Sequence, residues 1–510
     1  MNENIKKEKP FPVFLIGHGL KYETECILKA FVPVVRFQFY YDDLTLLLSS
    51  SRYAAVQIRQ GREHTYFYCA VSLYGKRLRL VHKSKRMYPD ADKKSCETII
   101  SKLLFKILHK ITGIDVPWGI LTGIRPVKKV LPMLEKGMSR EYIFENLREE
   151  YWISDDKLSL VYDTAVVQQP LLMDTPKHSI GLYISIPFCP SRCSYCSFVS
   201  HSVEQAKKLM PEYINLLCRE LEIWGDIVRK LGLIVDTVYF GGGTPTSVSA
   251  EHLESILKTV NNNFDLSHLR EYCVEAGRPD TITEEKLMVL KENGVNRISI
   301  NPQTMSDEVL CNIGRRHTAK EIVEAYKMAR RIGFDNINMD LIAGLPGDTP
   351  EGFHNTLDQV IALDPDSITV HTLTLKRAAN MFSDGKSQLA NPVREMVRDS
   401  ICMLPKNGYR PYYMYRQKNT LDNQENVGYA KPGKESYYNM LIMDETQSIF
   451  GAGCAASTKL VEPNGMITRI CNYKFPYEYI AQFEQLMEKK NQIFEIYNRI
   501  FEEESTNAEK

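Results

Sequence analysis

Residues 181–200 read GLYISIPFCPSRCSYCSFVS, and they set Cys189, Cys193 and Cys196 in a CxxxCxxC spacing just after a strand-like run. Three thiolates on one short loop can bind three irons of a [4Fe–4S] cluster and leave the fourth iron open. S-adenosylmethionine (SAM) could chelate that open iron, so the spacing points to radical chemistry rather than electron storage. A zinc site would need a fourth Cys or His from a second cluster, and the nearby His201 is off-pattern. Free cysteines are often simply buried, so three core cysteines at these intervals form the remaining alternative. The motifs downstream weigh against it.

Working outward, the chain has 510 residues, which suggests two or three domains. Hydrophobic residues make up 44% and charged residues 25%, an ordinary globular balance. A formal charge of +1 supplies no overall field toward nucleic acid or an acidic membrane surface. No apolar run approaches the ~18 residues of a membrane span. The N-terminal MNENIKKEKPFPVFLIGHG has only a brief apolar run and lacks a small-residue cleavage site, so it does not read as a signal peptide. Twelve scattered cysteines fit a reducing, cytoplasmic setting better than a disulfide framework.

From about residue 180 to 375, strand-like runs alternate with amphipathic helices. The strand candidates are LYISI (182–186), VDTVYF (235–240), YCVEA (272–276), NRISIN (296–301), INMDLIA (337–343) and SITVHTL (367–373). One helix carries Met210, Tyr213, Leu217, Leu221, Trp224 and Val228 at three- and four-residue steps. Thr318 and Glu321 form a capping box, and Pro350 takes the first helical position after Thr349. Six β/α repeats predict a partial, three-quarter parallel β/α barrel, with chemistry at the C-terminal ends of its strands.

Residues 1–175 read as an α+β domain of unassigned role. Antiparallel strands are expected between about 33 and 87, followed by helices over CETIISKLLFKILHKI and EYIFENLREEY. Lys83, Lys85 and Arg86 form a basic patch that could hint at RNA, but lysines commonly guard a strand edge. Residues 176–385 are the barrel. Residues 386–510 are expected to form a mainly helical domain covering its open side, with the tail EEESTNAEK frayed.

The second motif, TVYFGGGTPT (237–246), follows the second strand. Its glycines permit close backbone approach to a ligand, and Thr244 adds a hydroxyl. A tight turn is the alternative for a lone glycine triplet. Glu275 and Asp340 also fall at or near strand ends, and Arg315 in NIGRRHT could meet a carboxylate bidentately. Together on one rim they describe a pocket for a zwitterionic nucleoside.

These residues carry a resemblance. YISIPFCPSRCSYCSF, FGGGTPT, GVNRISINPQT, IGRRHT, NMDLIAGLPGDT and ENVGYAKPG resemble the radical SAM group of oxygen-independent coproporphyrinogen III oxidases (dehydrogenases), over about residues 176–460. The N-terminal extension and total length are similar to the HemZ branch of that family. The resemblance implies that Cys189, Cys193 and Cys196 ligate the cluster and that Tyr183, Gly242 and Glu275 contact the SAM bound to it. It further implies a second SAM at Tyr195, Gly243, Thr244, Gln303, Arg315, Asp340 and Thr374. GAGCAAST (451–458) would line the pocket wall.

The implied reaction is oxidative decarboxylation of coproporphyrinogen III propionates to vinyls, giving protoporphyrinogen IX. A 5′-deoxyadenosyl radical is the implied hydrogen abstractor, and an electron donor of unidentified nature is implied as partner. Ser185 stands where the family has histidine, and Ser197 where a fourth cysteine follows. A neighbouring branch of haem-binding chaperones implies an alternative, a haem-binding or haem-transfer protein that retains the cluster without porphyrinogen turnover. That branch carries a His-Asn…Tyr-Trp motif where this chain has Tyr438, Asn439, Ile442 and Met443.

Overall fold

The computed structural model describes residues 10–32, 36–47, 49–198, 201–374, 392–417 and 420–508, with side chains to residue 503. They divide into two compact units. One holds the chain up to Tyr162 with the described residues of 374–394 and 416–425; the other holds 163–373, 395–415 and 426 onward. The first boundary falls inside the helix Asp155–Met173. The sequence-based boundary at 385/386 lies outside the described residues.

The first unit contains a five-stranded sheet in the order β2-β1-β3-β4-β5. Its strands are β1 (Phe11–Ile16), β2 (Phe37–Tyr41), β3 (Tyr53–Gln60), β4 (His64–Leu73) and β5 (Lys76–Lys85). The expectation of an all-antiparallel sheet is corrected, because β1 pairs parallel with both β2 and β3. The helix Lys21–Phe31 joins β1 to β2, and a crossover of that kind returns the chain in the same direction. Phe11, Val13 and Leu15 of β1 pack with Leu28, Leu104 and Leu108 from the helices, which explains how a short apolar run becomes an interior strand. The β5 strand is an edge, and Lys83, Lys85 and Arg86 are exposed along and just beyond it. That is the strand-guarding arrangement.

The second unit is built on β6 (Ser179–Ile186), with a short parallel pair β7 (Phe188–Cys189) and β8 (His201–Ser202) just beyond it. It continues through β9 (Ile234–Gly242), β10 (Glu271–Glu275), β11 (Arg297–Ser299), β12 (Ile337–Ala343) and β13 (Ser367–Thr372). These six main strands, β6 and β9 to β13, pair parallel in chain order. Helices Met210–Leu231, Ala250–Asn263, Glu284–Glu292, Ala319–Ile332 and Pro350–Leu363 supply the crossovers. Met210, Tyr213, Leu217, Leu221, Trp224 and Val228 are all buried, as their spacing requires. The Thr318–Glu321 capping box forms, and the Thr349 side chain caps the helix that starts with Pro350. This open set of six β/α units is the partial barrel.

The sheet does not close on itself. It is extended by β14 (Arg410–Arg416) and β15 (Glu425–Ala430) beyond β13, and by β16 (Ser448–Ala452), β17 (Ser457–Val461) and β18 (Ile467–Cys471) beyond β6. The C-terminal helices lie between and after these strands and outweigh them, so the region is mainly helical as expected. The last helix, Gln492–Ala508, runs into the tail as far as Ala508, and upstream of the tail Ile493, Ile496, Tyr497 and Ile500 are buried at helical spacing. Among the described residues, no helix is long and apolar enough to cross a membrane.

Candidate cluster and nucleoside site

Alternate residues of a strand share a face, and along the parallel strands one face carries a connected polar ladder. Arg297 donates from Nη2 to Ser367 Oγ at 2.6 Å, and Ser367 Oγ donates to Asn338 Oδ1 at 3.0 Å. Thr369 Oγ1 donates to the same Asn338 oxygen at 3.1 Å, and Asn338 Nδ2 donates to Asp340 Oδ1 at 2.7 Å. The ladder ends at the C-terminal rim. The half-buried carboxylates there, Glu275 and Asp340, each have an assigned donor.

On the rim the cysteine loop is stitched to the glycine run. Gly243 N donates to Ile186 O and Thr244 N to Phe188 O, both at 2.8 Å. The Thr244 hydroxyl lies 3.4 Å from Cys189 Sγ. A Cβ on Gly243 would stand 2.6 Å from Phe188 O and 3.0 Å from Cys189 Sγ, so only glycine allows this approach. Gly242 adopts φ +105°, a region that side chains avoid. Cys193 is buried, while Cys189 and Cys196 are half-buried. Burial raises the Cys196 thiol, opposed by the Phe198 amide and reinforced by the two neighbouring sulfurs.

Arg278, buried and not singled out by the sequence pattern, holds this loop from below. Its Nη1 donates to Ser191 O at 3.0 Å and Ser191 Oγ at 2.9 Å, and lies 3.9 Å from Cys193 Sγ. Its Nε and Nη2 grip Asp280 at 3.0 and 2.8 Å. Burial would raise the Asp280 carboxyl, but the two hydrogen bonds and the charge of Arg278, with His317 nearby, hold it well below its ordinary range.

Glu275 lies beside an aromatic stack. Tyr239 OH donates to Glu275 Oε1 at 2.5 Å, and the Tyr239 ring stacks on Tyr438 with centroids 4.3 Å apart. Tyr183 stacks with Tyr239 at 6.3 Å. Burial pushes the Glu275 carboxyl up to about 7, with Tyr239 pulling it down and Asp340 adding to the rise. Asp340 behaves oppositely. Burial raises it, but His371, Asn338 and Thr369 bring it below its ordinary value. His371 Nε2 stands 3.8 Å from Asp340 Oδ2, and Tyr415 OH lies 3.5 Å from His371 Nδ1. Neither His371 nor Tyr415 carried a motif signal.

Arg315 is buried and gives Nη1 to Asn301 O at 2.6 Å and Nη2 to Tyr195 OH at 3.2 Å. Asn301 Oδ1 in turn accepts from Asp340 N at 3.3 Å. Gln303, at φ +69°, donates its amide to Asp340 O at 2.9 Å and accepts from Ile342 N at 3.0 Å. Tyr183, Tyr195, Gly242, Gly243, Thr244, Glu275, Gln303, Arg315 and Asp340 thus share one rim with the three cysteines. Thr374 falls in the other unit, where it bridges Thr420 and donates to Gln417 Oε1 at 2.7 Å. In the 451–458 stretch, Gly453 N donates to Glu220 Oε2 and Cys454 N to Tyr213 OH, both at 2.8 Å. Tyr213 OH donates to Ser185 O at 2.8 Å, which fixes that wall to β6.

The residues fit an iron–sulfur cluster with a nucleoside beside it. Among the described residues no three His, Cys, Asp or Glu side chains converge on one ion. A cubane instead offers a separate iron to each thiolate. The guanidinium of Arg278 beside Cys193 suits the negative charge of such a cluster. Gln303 Oε1 and Arg315 Nε are buried without partners, an acceptor and a donor that a ligand's hydroxyl and carboxylate would satisfy. His201 packs edge-on against Phe475 at 6.1 Å.

Residues 183–360 match the Radical SAM superfamily. The chain is 42% identical to the oxygen-independent coproporphyrinogen-III oxidase-like protein HemZ of Bacillus subtilis (strain 168) over 413 residues, 79% of this chain and 82% of that protein. It is 34% identical to the heme chaperone HemW of the same organism over 278 residues, 53% of this chain and 69% of that one. The solved structure of coproporphyrinogen III oxidase (HemN) from Escherichia coli, described as a radical SAM enzyme, is 25% identical. That likeness covers 63% of this chain and 73% of that one, with a TM-score of 0.48.

Proposed function

Because the chain belongs to the radical SAM superfamily, in the family of the oxygen-independent coproporphyrinogen-III oxidase-like protein HemZ, we propose that it oxidatively decarboxylates the propionates of coproporphyrinogen III. The vinyl-bearing product would be protoporphyrinogen IX. Its cofactors are a [4Fe–4S] cluster and SAM. When bound, they supply abstraction of a hydrogen atom from an unactivated carbon.

The chain's own residues contribute placement. Cys189, Cys193 and Cys196 would hold the cluster, on a loop kept in register by the Thr244 amide and by Arg278. Glu275 would take the SAM amino group as a carboxylate, with Tyr239 fixing its orientation and Tyr183 offering an aromatic face. Gly242 leaves the backbone bare against Ser185 and Ile186. Tyr195, Gly243, Thr244, Gln303, Arg315 and Asp340 would bind a second SAM. The stacked Tyr183, Tyr239 and Tyr438 rings exclude water from the buried side of the site. A one-electron donor, external to the chain, completes the partner list.

The observation that carries this reading is the joining of the cysteine loop, the glycine run and two oppositely tuned carboxylates on one rim. The likeness to HemW supports a second reading, haem binding without turnover. Against it, the helix Tyr437–Asp444 presents Tyr438, Asn439, Ile442 and Met443, with no histidine among them. Anaerobic incubation of reconstituted protein with reductant, SAM and coproporphyrinogen III tests both. Vinyl product with 5′-deoxyadenosine is the expected result. Deoxyadenosine with an unchanged tetrapyrrole would remove the substrate assignment, and tight haem binding alongside it would favour the second reading.

A further inference from the structure

The guanidinium of Arg278 has two edges with different duties. Nε and Nη2 are committed to Asp280, while Nη1 faces Ser191 and the sulfur of Cys193. Arg278 is 3% exposed, so solvent screens its charge little. His317 Nδ1 lies 3.7 Å from Asp280 Oδ1, too far for a hydrogen bond. The result is a row, Asp280–Arg278–Cys193, ending on one thiol of the loop. Arg315 also reaches Cys193, but its best-placed donors go to Asn301 O and Tyr195 OH.

We infer that Arg278 sets the reduction potential of the cluster through Cys193, and that Asp280 sets how much of the guanidinium charge reaches that sulfur. The inference rests on the three cysteines being the cluster ligands. Reduction adds one electron, drawn from an external one-electron reductant, and places more negative charge on the ligating sulfurs. A buried cation and an N–H donor beside one of them favour the reduced form and raise the potential. The Asp280 carboxylate opposes this, so the two side chains act with opposite signs. Arg278 is a positioning and tuning residue here, not a catalytic one.

The test is an EPR-monitored redox titration, without SAM, of anoxically reconstituted parent, Arg278→Gln, Arg278→Lys and Asp280→Asn proteins, with iron and sulfide content measured for each. Arg278→Gln should make the cluster at least about tenfold harder to reduce, about 59 mV for a one-electron couple. Arg278→Lys should fall between it and the parent. Asp280→Asn should shift the potential upward, because Ser191 still holds the guanidinium in place. If Arg278→Gln fails to load, Arg278→Lys and Asp280→Asn still decide the matter. Loaded variants with the parent's potential, or shifts of the same sign from both positions, would overturn the inference while leaving the ligand assignment standing. A parent that takes up no cluster would remove both.

Discussion

Tyr239 and Glu275 share a 2.5 Å hydrogen bond in which the phenol donates to the carboxylate. Burial alone would carry Glu275 further up, and this bond holds it to about 7. Between the ordinary carboxylate range and about 7, the folded chain binds this proton more tightly than the unfolded chain. Its contribution to stability is therefore full at low pH and is lost as pH rises to about 7, by on the order of a few kcal/mol. If the carboxylate receives the SAM amino group, SAM affinity should climb as pH rises through the same region. Tyr239→Phe should move that climb to higher pH. Equilibrium dialysis of SAM against the loaded protein across the range checks it, and a flat profile would count against Glu275.

Gly243→Ala places a methyl against Phe188 O and N and Cys189 Sγ. Backbone cannot yield as a flexible side chain can, so the cysteine loop should shift, at a cost of about 1–3 kcal/mol. The expected readout is sharply reduced iron content after reconstitution, with unchanged far-ultraviolet circular dichroism.

His371→Phe removes a partner that lowers Asp340. A depressed carboxyl stabilises the fold above its unfolded value, and that stability is lost as pH falls through the folded value. Without His371 the loss should begin at higher pH. Acid unfolding curves of the two proteins should separate in that order.

Glu220 and Lys490 form a fully buried ion pair at 2.7 Å, and Glu220 also accepts from Asn472 Nδ2 at 2.8 Å and Tyr479 OH at 2.5 Å. Lys490→Met leaves the carboxylate buried without its cation, which should cost about 3–5 kcal/mol. Adding Glu220→Gln should recover part of it. Denaturant midpoints of both variants measure the difference.

The six parallel strands were readable because each β-branched run is followed by a break and a helix with a clear apolar stripe. The cysteine and glycine motifs were readable because their spacing is short and local. Strand β1 was missed because six apolar residues near a terminus carry no alternation, and only its parallel partners make it an interior strand. Strands β14 to β18 were missed for a related reason: runs such as PYYMYR owe their state to pairing with distant strands. Arg278 and Asp280 were invisible since RPD reads as a polar turn, and nothing in sequence places it under residues 191–193. His371 was hidden in the same way, as one polar position in a buried strand.

The most direct measurement is Mössbauer and EPR analysis of anoxically reconstituted protein beside a variant with alanine at positions 189, 193 and 196. The parent should hold about four irons per chain as a cubane whose EPR signal changes when SAM is added. The variant should hold none and form no 5′-deoxyadenosine. A variant that retained the cubane and still cleaved SAM would contradict the account.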